Sequence, residues 1–195
     1  MDGSASSANL TLIGQGPSAD TMLGGSGDDF IYFRAGDIVD GGAGNDWAVA
    51  TLSASGITLD MTAAHVENAW GSTSDDLAIT AVGSTSSVVI VGDTGNDTLT
   101  GGNAGDFLYG FDGNDALTGG AGDDNLIGGA GADTYVFETA WATDVVWDWA
   151  DGIEKFDLRG SGAANFAALT VDQDYVGSGN ALIGFDGNLI LVLGG

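Results

Sequence analysis

The chain has 195 residues and a formal net charge of -25, with 28 acidic residues set against Arg34, Lys155 and Arg159. Nothing here could neutralise phosphates, which excludes nucleic acid and anionic membrane as ordinary partners. Cysteine is absent, so disulfides and thiolate metal sites are excluded too, and no apolar run approaches the ~20 residues of a membrane span. The acidity is one-sided, 25 Asp against three Glu. Aspartate is a poor strand former but a short, stiff carboxylate suited to a turn that holds a hard cation. The 35 glycines demand many tight turns. The 44% hydrophobic residues are spaced rather than scattered, which argues against the disorder common in acidic chains.

Residues 1–14 are a lead-in, small and polar over Asp2–Asn9, without the basic and apolar regions of a cleavable signal peptide. Behind an initiator-like Met1, they read as the start of a C-terminal piece cut from a longer chain. Residues 15–49 form a first repeat block. Gln15–Leu23 (QGPSADTML) is a worn copy holding Asp20 and Met22. Gly24–Tyr32 (GGSGDDFIY) and Gly41–Val49 (GGAGNDWAV) are full nine-residue units. Between them, Phe33–Asp40 (FRAGDIVD) is an eight-residue unit keeping Gly36, Asp37 and Val39. Residues 50–70 break the pattern but keep alternating runs such as Ile57-Thr58-Leu59, as expected of a wider coil connecting two blocks.

The second block, residues 71–136, opens with Gly71–Ile79 (GSTSDDLAI), where Asp76 reads as the repeat aspartate. Gly83–Val91 (GSTSSVVIV) has the length without the aspartate. Five consecutive nonapeptides then run from Gly92 to Val136. Their sixth positions are Asp97, Asp106, Asp115, Asp124 and Asp133; their eighth are Leu99, Leu108, Leu117, Leu126 and Tyr135. Such a period marks a solenoid.

Each unit has a glycine-rich half and a three-residue strand too short to stand alone, so the strands must stack on copies of themselves. Two units then make one coil of a right-handed parallel β-roll, and loops two units apart share an edge. Carboxylates 18 residues apart, such as Asp97 and Asp115 or Asp106 and Asp124, face each other across one ~4.8 Å step. Their repulsion calls for a cation. Ca²⁺, which accepts flexible shells of six or more oxygens, fits better than Mg²⁺. The candidate carboxylate ligands are Asp20, Asp29, Asp37, Asp46, Asp76, Asp97, Asp106, Asp115, Asp124 and Asp133. The candidate carbonyl ligands are those of Gly25, Gly27, Gly36, Gly42, Gly44, Gly95, Gly102, Ala104, Gly113, Gly120, Gly122, Gly129 and Gly131. Several Ca²⁺ ions are implied.

Residues 137–195 form a capping region richer in aromatics. Thr143–Gly160 alternates as two strands around a turn at Ala150-Asp151-Gly152. Ser161–Thr170 has the N-cap and apolar spacing of a short helix, and Ala181–Leu193 reads as a hairpin turning at Asp186-Gly187-Asn188.

The repeats resemble those of the RTX (repeats-in-toxin) family, hemolysin-type calcium-binding proteins exported by Gram-negative type I secretion. The stretch holding Asp144, Asp148, Trp149, Asp157 and Leu158 is similar to that family's capping segment, and the apolar C-terminus to its uncleaved secretion signal. The resemblance implies an all-β roll with a C-terminal cap, secreted to the outside or the cell surface, with the type I machinery as partner. His65 is the single histidine, so a zinc helix is excluded and a catalytic triad would need His65 alone. The chain reads as non-catalytic: a module that folds on Ca²⁺ and supports secretion of a larger protein. Two alternatives stand beside it. One is an adhesion or glycan-binding module using tryptophans such as Trp141 and Trp147; the other is the non-catalytic part of a secreted hydrolase.

Overall fold

Three-residue strands between glycine loops gain stability only by stacking, and they do so one coil apart. In the computed structural model, which describes residues 1–16, 18–51, 56–72, 75–138, 142–149, 153–161, 170–175, 180–185 and 188–194, the chain is a parallel β-roll with two main sheets. The longer contains β1 (Thr11–Ile13), β3 (Phe30–Phe33), β5 (Trp47–Ala50), β7 (Asn68–Gly71), β9 (Val89–Thr94), β11 (Phe107–Asp112), β13 (Asn125–Ala130) and β15 (Thr143–Trp149), in that order. The opposite side carries β2 (Thr21–Gly25) paired with β4 (Ile38–Gly42). A six-stranded sheet follows: β6 (Ile57–Asp60), β8 (Leu77–Thr80), β10 (Thr98–Thr100), β12 (Ala116–Thr118), β14 (Thr134–Val136) and β16 (Lys155–Asp157). Pairing is parallel throughout these layers, with Leu99 level with Leu117 and Leu108 level with Leu126.

The core is a stack of single side chains. Leu99, Leu108, Leu117, Leu126 and Tyr135 are fully buried, each enclosed between copies of itself and the opposing sheet. β9, β11 and β13 are six residues long where three were expected. They run on through the glycines opening the next unit, because those backbones also lie level between coils.

Between the blocks, β6 and β7 join both sheets, linked by one helical turn, α1 (Met61–Ala64). Asp60 caps that turn, accepting from the Ala63 N–H at 3.0 Å. The lead-in also stacks on the roll: Gly3 N–H donates to the Leu23 carbonyl at 2.7 Å, and Phe30 N–H to the Leu10 carbonyl at 2.9 Å.

At the C-terminal end the two strands expected in Thr143–Gly160 exist, but they do not pair with each other. β15 extends one sheet and β16 the other, so this stretch is a further coil. Trp149 stacks on Phe156 at 4.2 Å, and Tyr135 packs against both rings, closing the core. Asp148 secures this lid, accepting from Gly128 N–H, Gly129 N–H and the Tyr135 hydroxyl. The expected hairpin is present as β18 (Asn180–Phe185) antiparallel to β19 (Asn188–Gly194). β17 (Thr170–Tyr175) adds a third antiparallel strand, while β19 pairs in parallel with β15. The turn at 150–152, the helix expected within Ser161–Thr170 and Trp141 lie outside the described residues, apart from Ser161 and Thr170 themselves. Among the described residues no helix is long and apolar enough to cross a membrane.

Because Leu108 is fully buried in a one-residue-thick core, Leu108→Ala should remove about 2–5 kcal/mol of stability. Denaturant unfolding in saturating Ca²⁺, compared with the wild-type chain, reads that loss directly.

Candidate metal-binding edges of the roll

Each sixth-position residue ends a loop and points inward, so its side chain is buried: Asp29, Asp46, Asp97, Asp106, Asp115, Asp124 and Asp133 are at most 1% exposed. One carboxylate oxygen of each is committed to the neighbouring coil. Asp115 Oδ1 accepts from Asp97 N–H at 2.7 Å and Asp133 Oδ1 from Asp115 N–H at 2.8 Å. On the other edge Asp124 Oδ1 accepts from Asp106 N–H and Asp46 Oδ1 from Asp29 N–H. The result is a carboxylate ladder along each edge. A reciprocal ladder runs beside it at the fifth position, where Asn96 Oδ1 accepts from Asn114 N–H and Asn114 Oδ1 from Ala132 N–H.

The second oxygen has no such partner in six of the seven; Asp106 Oδ2 accepts from Gly102 N–H in its own loop at 2.6 Å. Oδ2 of Asp29, Asp46, Asp97, Asp115, Asp124 and Asp133 is buried without a hydrogen bond. A buried, unpaired carboxylate oxygen costs several kcal/mol unless a proton or a cation satisfies it. Burial accordingly raises Asp46, Asp97 and Asp115 to about 6, Asp144 to about 7 and Asp124 to about 8, and raises Asp106 and Asp133 as well. The orphaned oxygens fit a hard cation. Among the described residues no three carboxylate or imidazole groups converge, so an ion here would draw on few side chains and fill its shell with carbonyls.

Those carbonyls line the same edges. A methyl group on Gly113 would stand 1.6 Å from the Gly95 carbonyl oxygen, and one on Gly131 would stand 1.6 Å from that of Gly113. Similar approaches bring Gly42 onto the Gly25 carbonyl, Gly44 onto Gly27, Gly120 onto Gly102, Gly122 onto Ala104 and Gly129 onto that of Phe111. Gly95, Gly113 and Gly131 also adopt φ of 129°, 150° and 145°, which a side chain would strain.

The structure departs from this pattern at three predicted carboxylates. Asp76 does not stand in the aspartate column. Thr98 lies level with Ala78, which puts Asp76 beside Asn96 and Leu77 opposite Asp97. Asp76 Oδ1 accordingly accepts from Asn96 N–H at 2.7 Å, and Leu77 N–H donates to Asp97 Oδ1. Asp20 and Asp37 do form a ladder step, Asp37 Oδ1 accepting from Asp20 N–H at 2.8 Å, but their other oxygens are served by the protein. Asp37 Oδ2 accepts from Arg34 N–H and Asp20 Oδ2 from Gln15 N–H, with the Arg34 guanidinium 3.7 Å from Asp20. Gly36 has φ 92° and no close neighbour across the step.

Three contributors escaped the sequence reading. Glu67 occupies the ladder place above Asp46, accepting its N–H at 2.8 Å, and Asp144 occupies the one after Asp124 at 3.0 Å. Both lie outside nonapeptides, and only register reveals them. The first-position glycines form the third group. A methyl at Gly92, Gly110, Gly119 or Gly128 would fall 2.1–2.3 Å from Oδ2 of the aspartate in its own loop. His65, by contrast, sits on the surface with Nδ1 2.9 Å from Asp40 Oδ1.

Gly110→Ala places a methyl against Asp115 Oδ2, and should raise the Ca²⁺ midpoint for folding at least about tenfold. Asn103→Ala, at an exposed third position, should leave it unchanged; circular dichroism during Ca²⁺ titration separates the two. The raised aspartates also set a pH dependence. In the unfolded chain these groups ionise near ~3.9, whereas the metal-free roll holds their protons up to about 6 to 8. The folded state therefore binds more protons across that window, and its stability falls as pH rises through it. In EDTA, far-UV circular dichroism should show more β structure at about pH 5 than at about pH 8, where the chain is expected to be unfolded. Saturating Ca²⁺ should reverse that order, since ion binding requires the ionised carboxylates.

Comparison with known proteins agrees with this geometry. The RTX calcium-binding nonapeptide repeat matches four times, at residues 16–37, 35–48, 83–110 and 109–138. No curated protein matches the chain. Among solved structures, the extracellular lipase LipA from Serratia marcescens aligns with 97% of this chain and 37% of its own, at 14% identity and a TM-score of 0.31. The chain thus spans little more than a third of that lipase's length. The matched segments hold the loops in which the buried aspartates and stacked carbonyls lie, and these segments carry the RTX calcium-binding repeat.

Proposed function

We propose that the chain is a calcium-gated folding module of a larger secreted protein. The observation that carries this reading is the row of buried Oδ2 atoms without partners in a chain of net charge -25. Without a cation, each further coil brings another buried carboxylate beside the last. At one rung, ~4.8 Å, two such charges repel by about 3 kcal/mol at an effective dielectric of 20. The thin core cannot offset that together with the ordering entropy of so many glycines. At cytosolic Ca²⁺ the chain stays unfolded and fit for export, by the type I route of the family it resembles. Outside, where modules of this kind bind at about 10⁻⁴–10⁻³ M, ion binding becomes folding free energy. Carboxylates from successive coils and the carbonyls of positions two and four supply the ligands, and the Trp149–Phe156 lid ends the stack.

Far-UV circular dichroism of the chain in EDTA, then with Ca²⁺ or Mg²⁺, tests this. A cooperative coil-to-β transition with Ca²⁺ and none with Mg²⁺ is expected. A β spectrum unchanged by EDTA, from protein in which metal analysis finds no calcium, would refute it. Asp115→Asn sharpens the test, because the amide retains an acceptor for Asp97 N–H while losing the charge. Its Ca²⁺ midpoint should rise by about tenfold or more, as expected when an ionic ligand is removed.

A further inference from the structure

The outward face of the longer sheet carries a pattern that metal binding leaves unused. Each strand presents two outward side chains flanking its buried one. In one column, Tyr32 is level with Val49, Val49 with Trp70, Trp70 with Val91, and Val91 with Tyr109. Tyr109 is level with Ile127, and Trp147 follows one residue past the Leu126–Val146 pair. Aromatic and aliphatic residues therefore alternate rung by rung, and the aromatics recur every ~9.6 Å along the roll. Trp70 and Trp147 are each 49% exposed, standing above the buried Val49 and the half-buried Val91 and Ile127. Beside this column, Phe30 stacks on Trp47 at 6.1 Å, and Asn125 accepts the Trp147 indole N–H at 3.0 Å. Neither column contains a charged residue from β3 to β13. The opposite sheet shows that the repeat does not require this: its outward residues include Thr98, Thr100, Ala116 and Thr118.

We propose that this aromatic column is a binding platform for an extended, uncharged β-linked polysaccharide lying along the roll axis. The faces of aromatic rings carry partial negative charge and receive the C–H face of a pyranose. In an extended β-1,4-linked chain the repeat is a disaccharide, so every second sugar presents the same face. That period corresponds to two rungs, the spacing of Tyr32, Trp70, Tyr109 and Trp147. Charge narrows the class further, since a protein of net charge -25 repels polyanionic glycans. A protein partner would require an apolar patch but no such period. The inference needs only a folded roll and is independent of when calcium folds it.

The test is calorimetric titration of the Ca²⁺-loaded chain with uncharged β-1,4-linked gluco-, xylo- and manno-oligosaccharides from disaccharide to octasaccharide, together with depletion by insoluble cellulose and chitin. Affinity should climb with length as successive aromatics are engaged. Trp70→Ala and Trp147→Ala should each weaken it about five- to tenfold, while Trp70→Tyr retains most of it. Circular dichroism in Ca²⁺ verifies beforehand that each variant is folded, which separates loss of binding from loss of calcium-gated folding. Failure of the folded chain to bind any of these glycans would overturn the proposal, as would binding indifferent to both tryptophans. Self-association abolished by the tryptophan substitutions, with no glycan bound, would overturn it too and make the face a protein interface.

Discussion

Buried aspartates stacked one rung apart are the constraint on which the rest of the roll depends. Parallel stacking at the strand spacing is the sole way to enclose a core one side chain thick, and it forces identical residues into register. At the eighth position register is favourable, because leucine lies on leucine. At the sixth it aligns like charges in a buried setting, where each carboxylate accepts from the preceding coil's N–H with one oxygen and, in six of them, the other is left without a partner. The glycine content follows from the same geometry. Positions two and four must let carbonyls approach the next coil, and position one must leave room for the loop's own carboxylate.

The two ladders divide the work between directions. Sixth-position carboxylates accept from the coil before, and fifth-position side chains accept from the coil after, as with Asp97–Asp115 and Asn96–Asn114. Loops such as those of Asn96 and Asn114 are thus tied both ways by side-chain bonds as well as by the backbone. The first-block edge at Asp20 and Asp37 shows a different solution, since Arg34 and local N–H groups serve the oxygens that remain unpartnered elsewhere.

Sequence periodicity made the roll, its core column and most ladder aspartates legible, because nine residues of one composition repeat without insertion from Gly92 to Val136. Legibility ended where the period broke. Asp76 was misplaced because aspartate alone was followed in Gly71–Ile79; the buried pair Leu77 and Ile79 fixes the register one residue later. Glu67 and Asp144 were hidden by coils of about 20 residues, in which spacing no longer predicts which side chains meet. β15 and β16 resembled a hairpin because alternation reports a strand without naming its partner. The alternating aromatic column was likewise invisible, since its members lie some 40 residues apart and are interleaved with the other sheet.

The seam between the blocks shows what the sixth position is physically. Down the edge preceding the longer sheet the residues are Asp29, Asp46, Glu67, Val88, Asp106, Asp124 and Asp144, with Val88 the break. Along the other edge Ile57 and Leu77 precede Asp97 in the same column. All three apolar residues are 2% exposed, as deeply placed as the aspartates they replace. The position is therefore an interior site that accepts either hydrocarbon or a carboxylate with something to neutralise it. Where hydrocarbon fills it, Ile57, Leu77 and Val88 join Leu59, Met61, Val66 and Ile79 in the buried core, and no charge has to be compensated. Where carboxylate fills it, the coil gives up that apolar burial, and its stability becomes conditional on an ion or a proton. The chain thus joins two carboxylate-lined stretches through a centre whose packing needs no neutralising partner.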